Sequence, residues 1–98
     1  MPDGPLEADT VLGLAEKASL QPLGDGEGGV ILRLDTGELY TINDTALSFV
    51  SSLDGKRTFK EAARLLADEY DVDLDVLTRD LADIASELLS EALIERVR

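Results

Sequence analysis

Gly29-Val-Ile-Leu-Arg-Leu-Asp-Thr-Gly-Glu-Leu-Tyr-Thr-Ile-Asn43 is the stretch that decides the fold. Val30, Leu32 and Leu34 alternate with Ile31, Arg33 and Asp35, the period of two that sends successive side chains to opposite faces of a strand. Asp35-Thr36-Gly37-Glu38 supplies a turn with glycine available for positive φ, and Leu39 to Ile42 resumes a β-rich run. The stretch predicts a β-hairpin. At Asn43 the period changes. Asn43 serves as a helix N-cap, and Ala46, Leu47, Val50 and Leu53 follow at helical spacing until Asp54-Gly55 stops them, giving a first helix over 43–53.

Toward the C-terminus, Thr58-Phe-Lys-Glu61 fits a capping box, and the second helix it opens runs to Tyr70, burying Phe59, Ala62, Ala63 and Leu66. Asp71-Val72-Asp73 links it to a third helix over Leu74 to Ala92. The apolar stripe of Leu74, Leu77, Leu81, Ile84, Leu88 and Ala92 is the strongest periodic signal in the chain. The closing Leu93 to Val97 fits either a last helical turn or a short strand. Toward the N-terminus, the glycine-rich Gly24 to Gly29 is a loop. Val11 to Leu23 reads two ways, with Val11, Leu14 and Ala18 at helical spacing and Ala18, Leu20 and Pro22 alternating as in an edge strand. A strand near Lys17 to Leu23 is favoured. Residues 1–10, with two prolines, a glycine and three acids, are expected to be a flexible tail, leaving 11–98 as the domain. The expectation is an α+β fold of winged helix-turn-helix type, an N-terminal three-stranded antiparallel sheet followed by three helices.

The 98 residues hold one core, and with 44% apolar residues but only four aromatics that core is mostly aliphatic. Cysteine and histidine are both absent, which removes disulfides, thiolate metal sites, sulfur nucleophiles and the usual acid-base partner. No apolar run is long enough to span a bilayer, and no secretory signal opens the chain, so a cytoplasmic protein is expected. The formal charge of −12, from nine Lys plus Arg against 21 Asp plus Glu, repels phosphate backbones and anionic membranes and favours neutral or basic partners.

A helix-turn-helix usually reads DNA, but between Asp73 and Ala92 the candidate reading helix carries six acids and one base, Arg79. Neither nucleic acid nor membrane is expected as a partner. Asp71, Asp73 and Asp75 have the spacing that begins a calcium loop, yet Val76 and Ala82 stand where such a loop needs glycine and glutamate. A charged N-cap and first helical turn explain these acids better, and no metal or cofactor is expected. The glycines at 24, 26, 28 and 29 open no helix with a phosphate-binding pattern. An acyl carrier would need Asp-Ser-Leu at a helix start, and neither Ser-Leu pair fits: Ser19-Leu20 follows Ala18 in the strand reading, and Ser52-Leu53 follows Ser51 at the end of the first helix.

From Gly29 to Val97 the chain resembles the PqqD-like family, also called the RiPP recognition element. The resemblance lies in features taken in order: the hairpin Leu34 to Tyr40, the strand-to-helix join Ile42 to Ala46, Leu53-Asp54-Gly55 with Arg57-Thr58, the segment Leu66 to Asp73, Asp80 with Leu81 and Ile84, and Leu88 with Leu93-Ile94. It implies a small winged-helix protein without catalytic residues. It also implies that the leader of a ribosomally made precursor peptide adds as a strand beside the third strand, its side chains entering a groove against the third helix, with main-chain bonds supplying affinity and side-chain pockets specificity.

Carried onto this chain, the resemblance makes Leu39, Tyr40, Thr41 and Ile42 the receiving strand, with the side of that strand facing the leader left open. On a helical wheel Val76, Asp80, Asp83 and Glu87 flank the core stripe, and Val76, Asp80 and Ile84 are expected to face the groove, with Asp83 and Glu87 meeting basic leader residues. The implied partners are a precursor leader and a maturation enzyme: leader peptidase, cyclase or radical enzyme. Members dedicated to pyrroloquinoline quinone often have Gly-Trp near the end, where this chain has Glu91-Ala92-Leu93, so the chain looks closer to the free-standing recognition proteins of lasso-peptide clusters. The pyrroloquinoline quinone pathway comes second. The rival readings are a DNA-binding regulator and an acyl-carrier-like protein.

Overall fold

A computed structural model describes residue 7 and residues 9–97. The order of elements is β1 (Leu12–Leu14), β2 (Ala18–Pro22), β3 (Gly29–Arg33), β4 (Leu39–Ile42), α1 (Asp44–Ser52), α2 (Phe59–Tyr70), α3 (Leu74–Ser90) and β5 (Ile94–Arg96). Most of the expected tail lies outside the described residues. Its last residue, Thr10, already contributes to the fold, because its carbonyl accepts from the Phe59 amide at 2.7 Å.

The hairpin forms where its alternation places it. Gly37 takes φ 78° in the turn, and β3 and β4 pair antiparallel with Leu32 facing Leu39, Ile31 facing Tyr40, Val30 facing Thr41 and Gly29 facing Ile42. β2 lies on the other side of β3, so the three-stranded sheet has the order β2-β3-β4. Backbone crowding explains the paired glycines Gly28 and Gly29 at the start of β3. A Cβ at Gly28 would run into the Ile42 carbonyl, and the Gly28 amide donates to Asp44 Oδ1 at 2.8 Å, so the loop is pinned against the join of β4 and α1.

The predicted caps start all three helices. Asn43 accepts from the Ala46 amide at 2.9 Å, and Thr58 and Glu61 form the reciprocal capping box at 3.1 and 2.8 Å. Asp73 Oδ1 accepts from the amides of Asp75 and Val76, the capping role expected of it. α1 and α2 meet through Phe49 and Phe59, whose rings pack edge to face with centroids 6.0 Å apart. Around that pair lie Leu12, Ile31, Leu66, Leu81, Leu93 and Ile94, all fully buried.

One feature differs from the sequence reading, and one alternative it left open is decided. α3 ends at Ser90, two residues short of Ala92, because Ala92 takes φ 59°. The Leu93 amide then bonds the Leu88 carbonyl and the Ala92 amide the Leu89 carbonyl, the double bond of a Schellman helix end. The chain beyond that turn is a strand: β5 pairs antiparallel with β1, Leu14 facing Ile94 and Leu12 facing Arg96, as a second, two-stranded sheet. Burial of Leu93 and Ile94 anchors this return.

Candidate functional site

β4 is an edge strand, so some of its backbone bonding groups face away from β3. The phase follows from one bond beyond the strand ends. The Arg33 amide donates to the Glu38 carbonyl at 2.9 Å, which makes residues 33 and 38 a hydrogen-bonded pair. Opposed residues in an antiparallel ladder alternate between bonded and non-bonded pairs. Ile31/Tyr40 and Gly29/Ile42 are therefore bonded pairs, and Leu39 and Thr41 aim their N–H and C=O groups at the open edge. Independent bonds on the other side of β3 agree: the Leu34 amide donates to the Lys17 carbonyl and the Leu23 amide to the Gly28 carbonyl, so even-numbered residues of β3 bond β2.

The opposite edge is less able to receive a strand. On β2 the outward positions are Ala18, Leu20 and Pro22. The Ala18 amide is taken by the Ala15 carbonyl at 3.0 Å, and Pro22 has no donor. Only Leu20 offers an amide there, whereas β4 offers two.

Side chains along β4 alternate in the other direction. Leu39, 65% exposed, and Thr41 stand on the outer sheet face, while Tyr40 and Ile42 turn toward the helices and pack against the core. Between Tyr40–Asn43 and α3 lies a cleft of about 210 Å³ lined also by Ala46, Ile84, Glu87, Leu88, Glu91 and Leu93. Across it the Tyr40 hydroxyl donates to Glu91 Oε1 at 3.4 Å. Partial burial, together with the charges of Glu38 and Glu91, pushes the Tyr40 phenol above its ordinary value.

Of the residues expected at the site, Tyr40, Thr41, Ile42, Ile84 and Glu87 converge on this cleft. Leu39 belongs to the edge, not the cleft. Val76, Asp80 and Asp83 lie exposed on α3 outside it, toward the helix N-terminus. Sequence reasoning missed Asn43, Ala46, Leu88, Glu91 and Leu93 as lining residues. Glu91 was within reach, since it follows Glu87 by one helical turn. The apolar ones are indistinguishable by pattern from core positions.

Set against known proteins, the chain matches over residues 28–94 the family model described as coenzyme PQQ synthesis protein D (PqqD). The chain belongs to the PqqD family. A comparison with curated proteins finds no significant relative. Among solved structures, one described as lasso peptide synthetase B1 complexed with the leader peptide shares 26% identity over 86% of this chain and 96% of its own, with a TM-score of 0.72. TbiB1 in complex with the TbiA(beta) leader peptide shares 23% identity over 85% and 94%, with a TM-score of 0.71. The PqqD truncation of Methylobacterium extorquens PqqCD, described as a stand-alone RiPP recognition element, shares 21% over 93% and 95%, with a TM-score of 0.78. The PqqD fold thus accounts for the described elements from the hairpin to the return strand.

Proposed function

We propose that this PqqD-family chain is a non-catalytic adaptor that binds the leader segment of a ribosomally made precursor peptide and presents it to a separate maturation enzyme. One observation carries the reading: the open edge of β4, with its free groups at Leu39 and Thr41, borders through Tyr40–Asn43 a cleft between that strand and α3. A leader laid against Leu39 and Thr41 extends the sheet through main-chain bonds and places alternate side chains in the cleft beside Tyr40, Ile42, Ile84 and Glu87. Val76, Asp80 and Asp83 continue the same flank of α3, where a leader longer than β4 runs on.

The leader complex of a lasso peptide synthetase B1 protein at 26% identity favours a lasso-peptide peptidase or cyclase as the enzyme served, ahead of a radical enzyme of the pyrroloquinoline quinone pathway. A cytoplasmic setting suits a chain without cysteine. A synthetic leader from the precursor reading frame beside the gene should bind with 1:1 stoichiometry in calorimetry, and the core segment alone should not. Equal affinity for the two sinks the reading, and a gel shift of DNA at low salt would replace it with the regulator.

A further inference from the structure

The cleft beside β4 has two chemically different parts. Ile42, Ile84, Leu88 and Leu93 give it an apolar floor, while Glu87 and Glu91 give its α3 rim two carboxylates. The bond from the Tyr40 hydroxyl to Glu91 places that carboxylate level with Tyr40 along β4, with Glu87 one helical turn away on the same flank of α3. A strand added to β4 keeps the alternation of faces, so its residues opposite Tyr40 and Ile42 both point toward α3 and are two positions apart. The first of these meets the carboxylates. The second meets the floor.

The two glutamates are placed at a local cost. Among the described residues the two ion pairs are Arg33–Asp35 and Arg57–Asp54, so neither Glu87 nor Glu91 has a cationic partner there. Both stand toward the C-terminal end of α3, Glu91 as its C-cap, and the last turn contains no base. The partial negative charge at that end of a helix disfavours acids. A cation held in the cleft adds attraction to both carboxylates and to the helix end, which offsets that repulsion. We infer that the peptide this groove selects carries a Lys or Arg opposite Tyr40, two residues from a branched aliphatic side chain opposite Ile42. The inference rests on the strand-addition reading above.

The test uses a displayed library of random dodecapeptides selected in parallel on the full chain and on its Glu87→Lys/Glu91→Lys double variant. Both glutamates are exposed, so the variant should fold; circular dichroism checks this, and Glu87→Gln/Glu91→Gln replaces it if it does not. The full chain should enrich peptides with an aliphatic and a basic residue two apart. Charge reversal should turn the basic preference acidic, and the Gln pair should abolish it. Replacing the basic residue of the best peptide by Gln should weaken binding about two- to fivefold, the range of a partly exposed ion pair. Every selected peptide should be lost on a Thr41→Pro chain. Peptides that need the Thr41 edge but show no basic preference overturn the charge inference and leave strand addition standing. Peptides indifferent to Thr41→Pro, or no enrichment at all, overturn strand addition and this inference with it.

Discussion

Ala92 holds φ at 59°, a left-handed conformation that costs a residue with a Cβ about 1–2 kcal/mol and that helix ends normally assign to glycine. This is why the end of α3 was illegible: an alanine continues the apolar stripe, and nothing in its chemistry announces a stop. Gly37 and Gly55, by contrast, marked the turns they make. Ala92→Gly should stabilise the fold by about 0.5–1 kcal/mol once the greater unfolded-state freedom of glycine is counted, readable as a higher urea midpoint at unchanged slope. A lower midpoint would mean that the alanine methyl makes packing contacts worth more than the strain. Asp54 works at the same scale. Its Oδ1 accepts from the amides of Arg57 at 2.7 Å and Lys56 at 2.9 Å, and these bonds, Arg57 first, hold the carboxyl below the ordinary carboxylate range. A depressed folded value contributes stability above the unfolded value that is lost as pH falls through the folded one. Stability should therefore decline below about pH 4, and Asp54→Ala should be less stable at neutral pH with a shallower acid decline. Parallel acid limbs in the two proteins would show that the carboxylate contributes nothing.

At the scale of elements, the three-stranded sheet and all three helices were legible because each carries its own period and its own punctuation within a short window. β1 and β5 were not. Each is three residues long, and each finds its partner near the other end of the chain, where no local pattern can report it. The direction in which β4 presents its amides was also hidden in the sequence, because it depends on the ladder phase set at Arg33 and Glu38. With that phase known, proline scanning gives a sharp expectation. Proline at Tyr40 or Ile42 removes a donor to β3 and leaves a buried acceptor unpaired, which should cost about 1–3 kcal/mol. Proline at Leu39 or Thr41 removes a donor that faces the open edge, so those variants should keep a wild-type thermal midpoint yet fail to bind the leader. If Leu39→Pro and Thr41→Pro both fold and bind normally, the leader does not add at β4.

Across the whole molecule, one quantity acts on folding and on binding with opposite signs. The chain carries −12, and the described residues include two cation–carboxylate pairs to offset it, so its acids mainly repel one another. Raising ionic strength from about 0.01 M to about 0.15 M shortens the screening length from about 30 Å to about 8 Å. Self-repulsion then weakens, and the fold should gain roughly 0.5 kcal/mol, a rise of about 2–4 °C in thermal midpoint for a domain this size. A basic leader side chain drawn to Glu87 and Glu91 feels the same screening as a loss, so affinity should fall by about two- to fivefold over the same range. The opposition separates the two effects. A general salt effect on structure would move binding and midpoint together, because a better-folded groove binds better. A midpoint that rises while affinity is unchanged would locate the charge in self-repulsion alone and remove the cation from the cleft. A midpoint that falls would show that the acids are held by attractive contacts, against the sparse ion pairing seen across the described surface.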